Sequence, residues 1–253
     1  MFIYQAMRPE AGGAVQEKSF RLMLESVGDP SFEKGWKNAL SGLTAEQYAR
    51  LGESLAGHSA AYEDRGRRER SLLRAAGYIE KALYLSGGAS QDGKIEKLLG
   101  DTYNRLGEFY ASPETRINDA FKSSDDPASY EQVAKEYNYP AGIGFFQKAA
   151  AQYGIAYRKE EMQPFPDPFG LCSSKMAIAD NFSSLGSAQL ASGDLKGAGA
   201  SYGKALEDCK MAKGLFSGWK RAEGQGQESA GDKEKELSEM EKSIRQKIAA
   251  AGK

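Results

Sequence analysis

Histidine occurs once and cysteine twice in 253 residues, and these shortages remove several classes of chemistry. A single imidazole, His58, leaves no HExxH motif, no histidine-rich metal cluster and no second histidine to build a catalytic set around. It falls near the end of a predicted helix, where a dipole contact or plain solvent exposure accounts for it. Cys172 and Cys209 make neither a disulfide framework nor a zinc site, which takes about four clustered ligands. They flank one predicted hairpin at unequal distances from its turn, which disfavours a bond between them. Valine appears only at Val15, Val27 and Val133, and the alternating β-branched runs of a strand are almost absent. No apolar run approaches the roughly 20 residues needed to cross a bilayer, so the chain is expected not to span a membrane. Charge of one sign is lacking too. Lys plus Arg (34) balances Asp plus Glu (35), leaving no global field to attract nucleic acid. The opening MFIYQAMRPEAGG has no charged segment leading into an apolar core, so no signal peptide is expected. The compartment stays open between the cytoplasm and export after signal removal.

What is present is helical spacing. Leu72, Ala75, Ala76, Ile79, Ala82 and Leu83 step by three and four, as do Ile95, Leu98, Leu99, Thr102, Tyr103 and Leu106, which is the period of a buried helix face. Breakers fall at Gly28 to Pro30, Ser41 to Leu43, Ser86 to Gly93, Ser123 to Pro127, Tyr139-Pro140 and Gln163 to Gly170, leaving room for helices of about 10–20 residues. The chain reads as all-α. In QPFPDPFG three prolines remove donors and disfavour helix before each of them, so this stretch is a linker or a rigid loop packed by Phe165 and Phe169. The expected organisation is a helical domain over 1–222 with an insertion near 111–139, a flexible Gly/Gln segment over 223–231, and a charged amphipathic helix over 232–253. Leu237, Met240, Ile244 and Ile248 form the narrow stripe of that last helix, which caps the body or binds a partner.

The stretch from Asn181 to Cys209 carries a more specific pattern. Phe182, Leu185, Gly186 and Gln189 step along one helix, Gly193-Asp194 turns the chain, and Ala198, Tyr202 and Ala205 step along the next. Small residues at Gly186 and Ala198 allow the pair to cross closely, and Leu185 and Tyr202 fill the groove. This resembles the tetratricopeptide repeat, in which W-x2-L-G-x2-Y is followed by A-x3-F. Half-patterns recur at Tyr48-x2-Leu51-Gly52-x2-Leu55 and at Leu99-Gly100-x2-Tyr103, with Gly107 after the latter. For second helices they recur at Ala75-x3-Ile79-x2-Ala82 and Gly142-x3-Phe146-x2-Ala149. The resemblance implies an α-solenoid of antiparallel hairpins whose first helices line a concave surface for a partner peptide or subunit. It places Ala49 and Glu53, then Lys97, Asp101 and Asn104, then Ser183, Ser187 and Leu190 on that surface. The Lys and Asn pairs one turn apart with which some relatives grip a chain-terminal carboxylate are missing at these positions.

Other candidates have plainer readings beside the functional ones. Arg65, Arg67, Arg68, Arg70 and Arg74 form a basic patch able to hold phosphate, an acidic partner or a lipid headgroup. Glu63, Asp64 and Glu69 interleave with them as in a solvated helix face. The carboxylate pairs Asp125-Asp126 and Glu160-Glu161 sit beside turn residues, as caps do. GAGASYGK, from Gly197 to Lys204, lies inside a helix whose N–H groups are already used, so it is no phosphate loop. Tyr139, Phe146 and Tyr153 belong to the richest aromatic stretch, which is either core or an apolar pocket. No cofactor or metal is implied. The expectation is a non-enzymatic adaptor that binds a protein partner or copies of itself. The alternative is a ligand-binding component of a bacterial envelope assembly that uses the Tyr/Phe pocket for a small apolar molecule.

Overall fold

The structure, a computed structural model, describes residues 17–27, 32–62, 64–87, 92–111, 137–223 and 228–251. These residues contain no strand and nine helices: α1 (Glu17–Glu25), α2 (Phe32–Leu40), α3 (Ala45–Ser59), α4 (Arg65–Leu85), α5 (Lys94–Ala111), α6 (Tyr139–Glu161), α7 (Pro168–Ala191), α8 (Leu195–Glu223) and α9 (Glu228–Ala251). The turn at Gly28 to Pro30, the Asp125-Asp126 pair, residues 112–136 of the expected insertion and residues 224–227 of the Gly/Gln segment lie outside the described residues. The chain divides into two compact units, Met1–Thr102 and Tyr103–Lys253.

In the first unit Phe20, Met23, Phe32 and Trp36 are buried, and the Trp36 indole N–H donates to Ser26 Oγ at 2.7 Å. Thr44 starts α3 with a reciprocal capping box: its hydroxyl accepts from Gln47 N, and the Gln47 amide oxygen accepts from Thr44 N. Two orphan donors of the first turn are thereby satisfied. The Tyr48 hydroxyl donates to the Leu40 carbonyl, tying α3 back to the end of α2. α3 and α4 pair as a hairpin, and Ser71 Oγ donates across it to the Leu55 carbonyl at 3.0 Å. Asp64 caps α4 by accepting from Arg67 N.

In the second unit α6 packs on α7, α7 on α8, and α9 on α8 and α7. Asn138 caps α6 and Asp167 caps α7, each with proline in the first turn, where its missing N–H costs nothing. The loop over 162–167 is closed by Met162 N, which donates to the Arg158 carbonyl at 3.1 Å, and by Asp167. Phe169 packs on Trp219 with ring centroids 5.1 Å apart. Phe165 does not pack the loop as expected, being 95% exposed. At the far end of α7, Gly193 takes φ +89, a conformation nearly free for glycine alone. Asp194 N then reaches the Gln189 carbonyl at 2.8 Å.

Close helix crossings explain the small residues. A β-carbon at Gly52 would stand 2.5 Å from Ile79 and 2.9 Å from the Ala75 carbonyl. One at Gly186 would stand 2.8 Å from the Tyr202 ring, and one at Gly107 would stand 2.6 Å from the Phe146 ring. Three helix pairs thus share one device, a glycine under a large side chain. The Gly107 crossing corrects the register read from sequence. The glycine facing Phe146 is Gly107, in Leu106-Gly107-x2-Tyr110, and not Gly100, two turns earlier on the same helix. Both glycines follow a leucine and precede a tyrosine at the same spacing, so the motif alone fits either place.

α9 ends the second unit. Leu237 inserts among Cys172, Met176, Ala212, Phe216 and Trp219, and Ile244 among Ala179, Ala205 and Cys209. Each fully buried side chain of this kind contributes about 1.5–3 kcal/mol. Glu241 holds Lys213 of α8 and Arg245 of its own helix. Their hydrogen bonds lower its carboxyl to about 2. Both cysteines are free and buried, and burial raises both thiols.

Candidate functional site

Four of the positions expected to face a partner meet in the first unit. Ala49 and Glu53 of α3 and Lys97 and Asp101 of α5 line one concave pocket of about 660 Å³. Its apolar lining comes from Ala45, Ala49, Ile95 and Leu98, and its charges from Glu46, Arg50, Glu53, Asp92, Lys94, Lys97 and Asp101. Ser86, which closes α4 as its C-cap, completes the wall. Glu53 and Lys97 are exposed and differ in sign. The Arg50 guanidinium lies 5.0 Å over the Phe20 ring, which fixes its direction. Lys94 pairs with Asp92 at 2.6 Å. Partial burial pushes the Asp92 carboxyl up, and the hydrogen bonds and charge of Lys94 more than offset it, holding Asp92 below its ordinary range.

Arg50, Lys94, Ile95 and Leu98 were not singled out as pocket residues. Their signal was helical spacing from other pocket positions, Arg50 three residues before Glu53 and Leu98 and Lys94 three and seven before Asp101, with Ile95 three before Leu98, but Ile95 and Leu98 read equally well as core. An apolar floor inside a rim of both signs suits a peptide segment, with apolar anchors below and polar groups fixing direction. Among the described residues no cluster of histidine, cysteine or carboxylate groups is arranged to hold a metal ion.

The remaining groove positions are engaged within the second unit. The Asn181 amide donates to Asn104 Oδ1 at 2.8 Å, and the Asn104 amide donates to Glu108 at 2.9 Å. Ser183 is buried and accepts from Lys247 of α9 at 3.0 Å. Ser187 Oγ donates to the Ser183 carbonyl and accepts from the Tyr202 hydroxyl. Leu190 is half-buried. α9 therefore covers part of the face expected on α7.

Phe146 and Tyr153 are buried, with Phe146 packed among Ala111, Leu185 and Ala188, and Tyr139 half-buried beside it. The Arg-rich segment forms the start of α4. Arg70 stands 3.9 Å from Asp64, with both side chains about two-thirds exposed (65% and 64%); Arg67 is exposed, and Arg65 and Arg68 are half-buried. His58 is exposed in the last turn of α3, its Nδ1 2.8 Å from the Ser54 carbonyl. GAGASYGK lies within α8.

No protein-family model and no curated protein matches the chain.

Proposed function

We propose that this chain is a non-enzymatic adaptor related to the tetratricopeptide repeats, and that it binds a segment of a partner protein in the pocket between α3 and α5. The observation that carries the reading is the convergence of Ala49, Glu53, Lys97 and Asp101 on one concavity, reached from a motif that names them without reference to one another. The repeated glycine crossings at Gly52, Gly107 and Gly186 support the family resemblance. Burial of Phe146 and Tyr153 supports core packing in α6 over an apolar ligand pocket there. Affinity would come from a few apolar anchors on the Ile95 and Leu98 side, and selectivity from the charged rim.

The test is a photo-crosslinking amino acid placed at Glu53 or Lys97, with exposed Lys210 of α8 as the control position. The expected result is one protein partner captured at the pocket positions and not at Lys210, and lost when Glu53→Lys and Lys97→Glu are combined. Equal capture at all three positions overturns the reading, as does a partner indifferent to the double substitution.

A further inference from the structure

The outer face of α4 is a second surface, independent of the pocket. Its buried positions are Ser71, Leu72, Ala75, Ala76, Ile79 and Ala82, which fixes the opposite side of the helix as the outward one. On that side Arg67, Arg70, Arg74 and Lys81 follow one another along a single strip at steps of three, four and seven residues. The strip runs about 21 Å along the axis at 1.5 Å per residue. Leu73 (42%) and Tyr84 (75%) are exposed beside the cations, and the Lys81 ammonium lies 5.2 Å over the Tyr84 ring. The acidic residues of the same helix, Glu69 and Glu80, stand on the flank of the strip. Asp64 stands 3.9 Å from Arg70 with both groups largely exposed, and the four cations of the strip outnumber the two acidic residues of the helix. The surface is a convex line of cations with apolar and aromatic side chains beside them. A convex line is unsuited to enclosing one small anion and suited to an extended negative plane.

We propose that this face of α4 docks on an anionic lipid surface, the cations meeting headgroup phosphates and carboxylates while Leu73 and Tyr84 enter the interface. A basic side chain near such a surface contributes a factor of about five in partitioning, and the attraction reaches only about one Debye length, roughly 10 Å at 0.1 M salt.

The test is co-sedimentation of the full chain with vesicles of equal parts phosphatidylserine and phosphatidylcholine, with pure phosphatidylcholine vesicles in parallel. Binding is expected only to the anionic vesicles and falling as salt rises. The combined Arg67→Gln, Arg70→Gln and Lys81→Gln substitutions are expected to weaken it roughly a hundredfold. The combined Leu73→Ser and Tyr84→Ser variant is expected to weaken it without changing its salt dependence. All these positions are solvent-facing, and circular dichroism confirms that each variant keeps its helix content. No binding to anionic vesicles at low salt overturns the proposal. So does equal binding by parent and charge variant, or retention on soluble heparin without vesicle binding, which would make the face a site for a dissolved polyanion.

Discussion

Gly107 and Gly77 are both helix-interior glycines, yet the same substitution should move them in opposite directions. A β-carbon at Gly107 meets the Phe146 ring at 2.6 Å, whereas one at Gly77 meets nothing within 4 Å. Gly107→Ala is therefore expected to destabilise by roughly 1–3 kcal/mol through overpacking, and Gly77→Ala to stabilise by about 0.5–1 kcal/mol through helix propensity. Urea unfolding measures both; equal shifts would deny that Gly107 sets a crossing. Lys175 is the other decisive residue of the second unit. Its ammonium sits 2.7 Å from Asp208 Oδ1, with the side chains 11% and 14% exposed, and 4.3 Å over the Tyr157 ring. Lys175→Met strands the Asp208 carboxylate and should cost roughly 2–3 kcal/mol, short of the roughly 3–5 of a fully sealed pair. Adding Asp208→Leu should recover most of it. Tyr157 donates to Glu161 at 3.1 Å. Burial first, and that hydrogen bond next, push its phenol up to about 12. A group whose pKa rises on folding contributes below its unfolded value, about 10, and its contribution disappears as pH climbs through the folded value. Ultraviolet difference titration should find a late tyrosine that Glu161→Gln brings earlier, separate from Tyr48, which burial also raises.

Among the elements, α9 has the plainest consequences. Its four-residue stripe was legible because Leu237, Met240, Ile244 and Ile248 repeat at helical spacing, and its start at Glu228 precedes the expected boundary by one turn. Its socket was not legible, because it is assembled from α7 and α8 residues far apart in sequence. Removing residues 228–251 uncovers the Leu237 site and the Cys209 thiol, whose sulfur lies 3.7 Å from the Leu237 carbonyl. Thiol reagents should leave Cys172 and Cys209 untouched in the intact chain and modify both promptly in the shortened one; slow modification would mean that α7 and α8 close over the gap. Attachment of α9 should also fail in acid. Glu241, lowered to about 2, adds stability that is fully present above its unfolded value, about 4.3, and is lost as pH falls through the folded value. Glu234, lowered by the hydrogen bond from Lys220, acts in the same direction. Hydrogen exchange across α9 should quicken over that window, and Glu241→Gln should remove most of the pH dependence. The α6–α7 loop shows a different limit of sequence reading. Its prolines announced a break, yet Pro168, Phe169 and Gly170 belong to α7, and the local pattern held no sign of whether Phe165 faced inward.

For the molecule as a whole, helix content followed directly from periodicity and the near absence of β-branched alternation. The α3–α5 pocket was legible in part because the repeat resemblance assigns fixed positions to first helices, so Ala49, Glu53, Lys97 and Asp101 could be named without seeing them meet. Asn104, Ser183 and Ser187 could not be sorted from them. Their partners, Asn181, Lys247 and Tyr202, lie as far as 77 positions away along the chain, and local spacing holds no record of such distances. The shift from Gly100 to Gly107 has the same origin, since two equal motifs on one helix are separated only by what packs against them. The three glycine crossings, finally, bear on how such a chain can change over time. Ile79, Phe146 and Tyr202 differ in breadth, and Tyr202 alone carries a hydroxyl that needs Ser187 to receive it. A duplicated hairpin keeps its lock only if both of its helices are copied together. Exchanging a single helix between pairs would set a ring where a branched aliphatic chain fits, or leave a buried hydroxyl without its acceptor. The packing unit is thus the helix pair, and exchanging one helix alone should yield chains that do not fold.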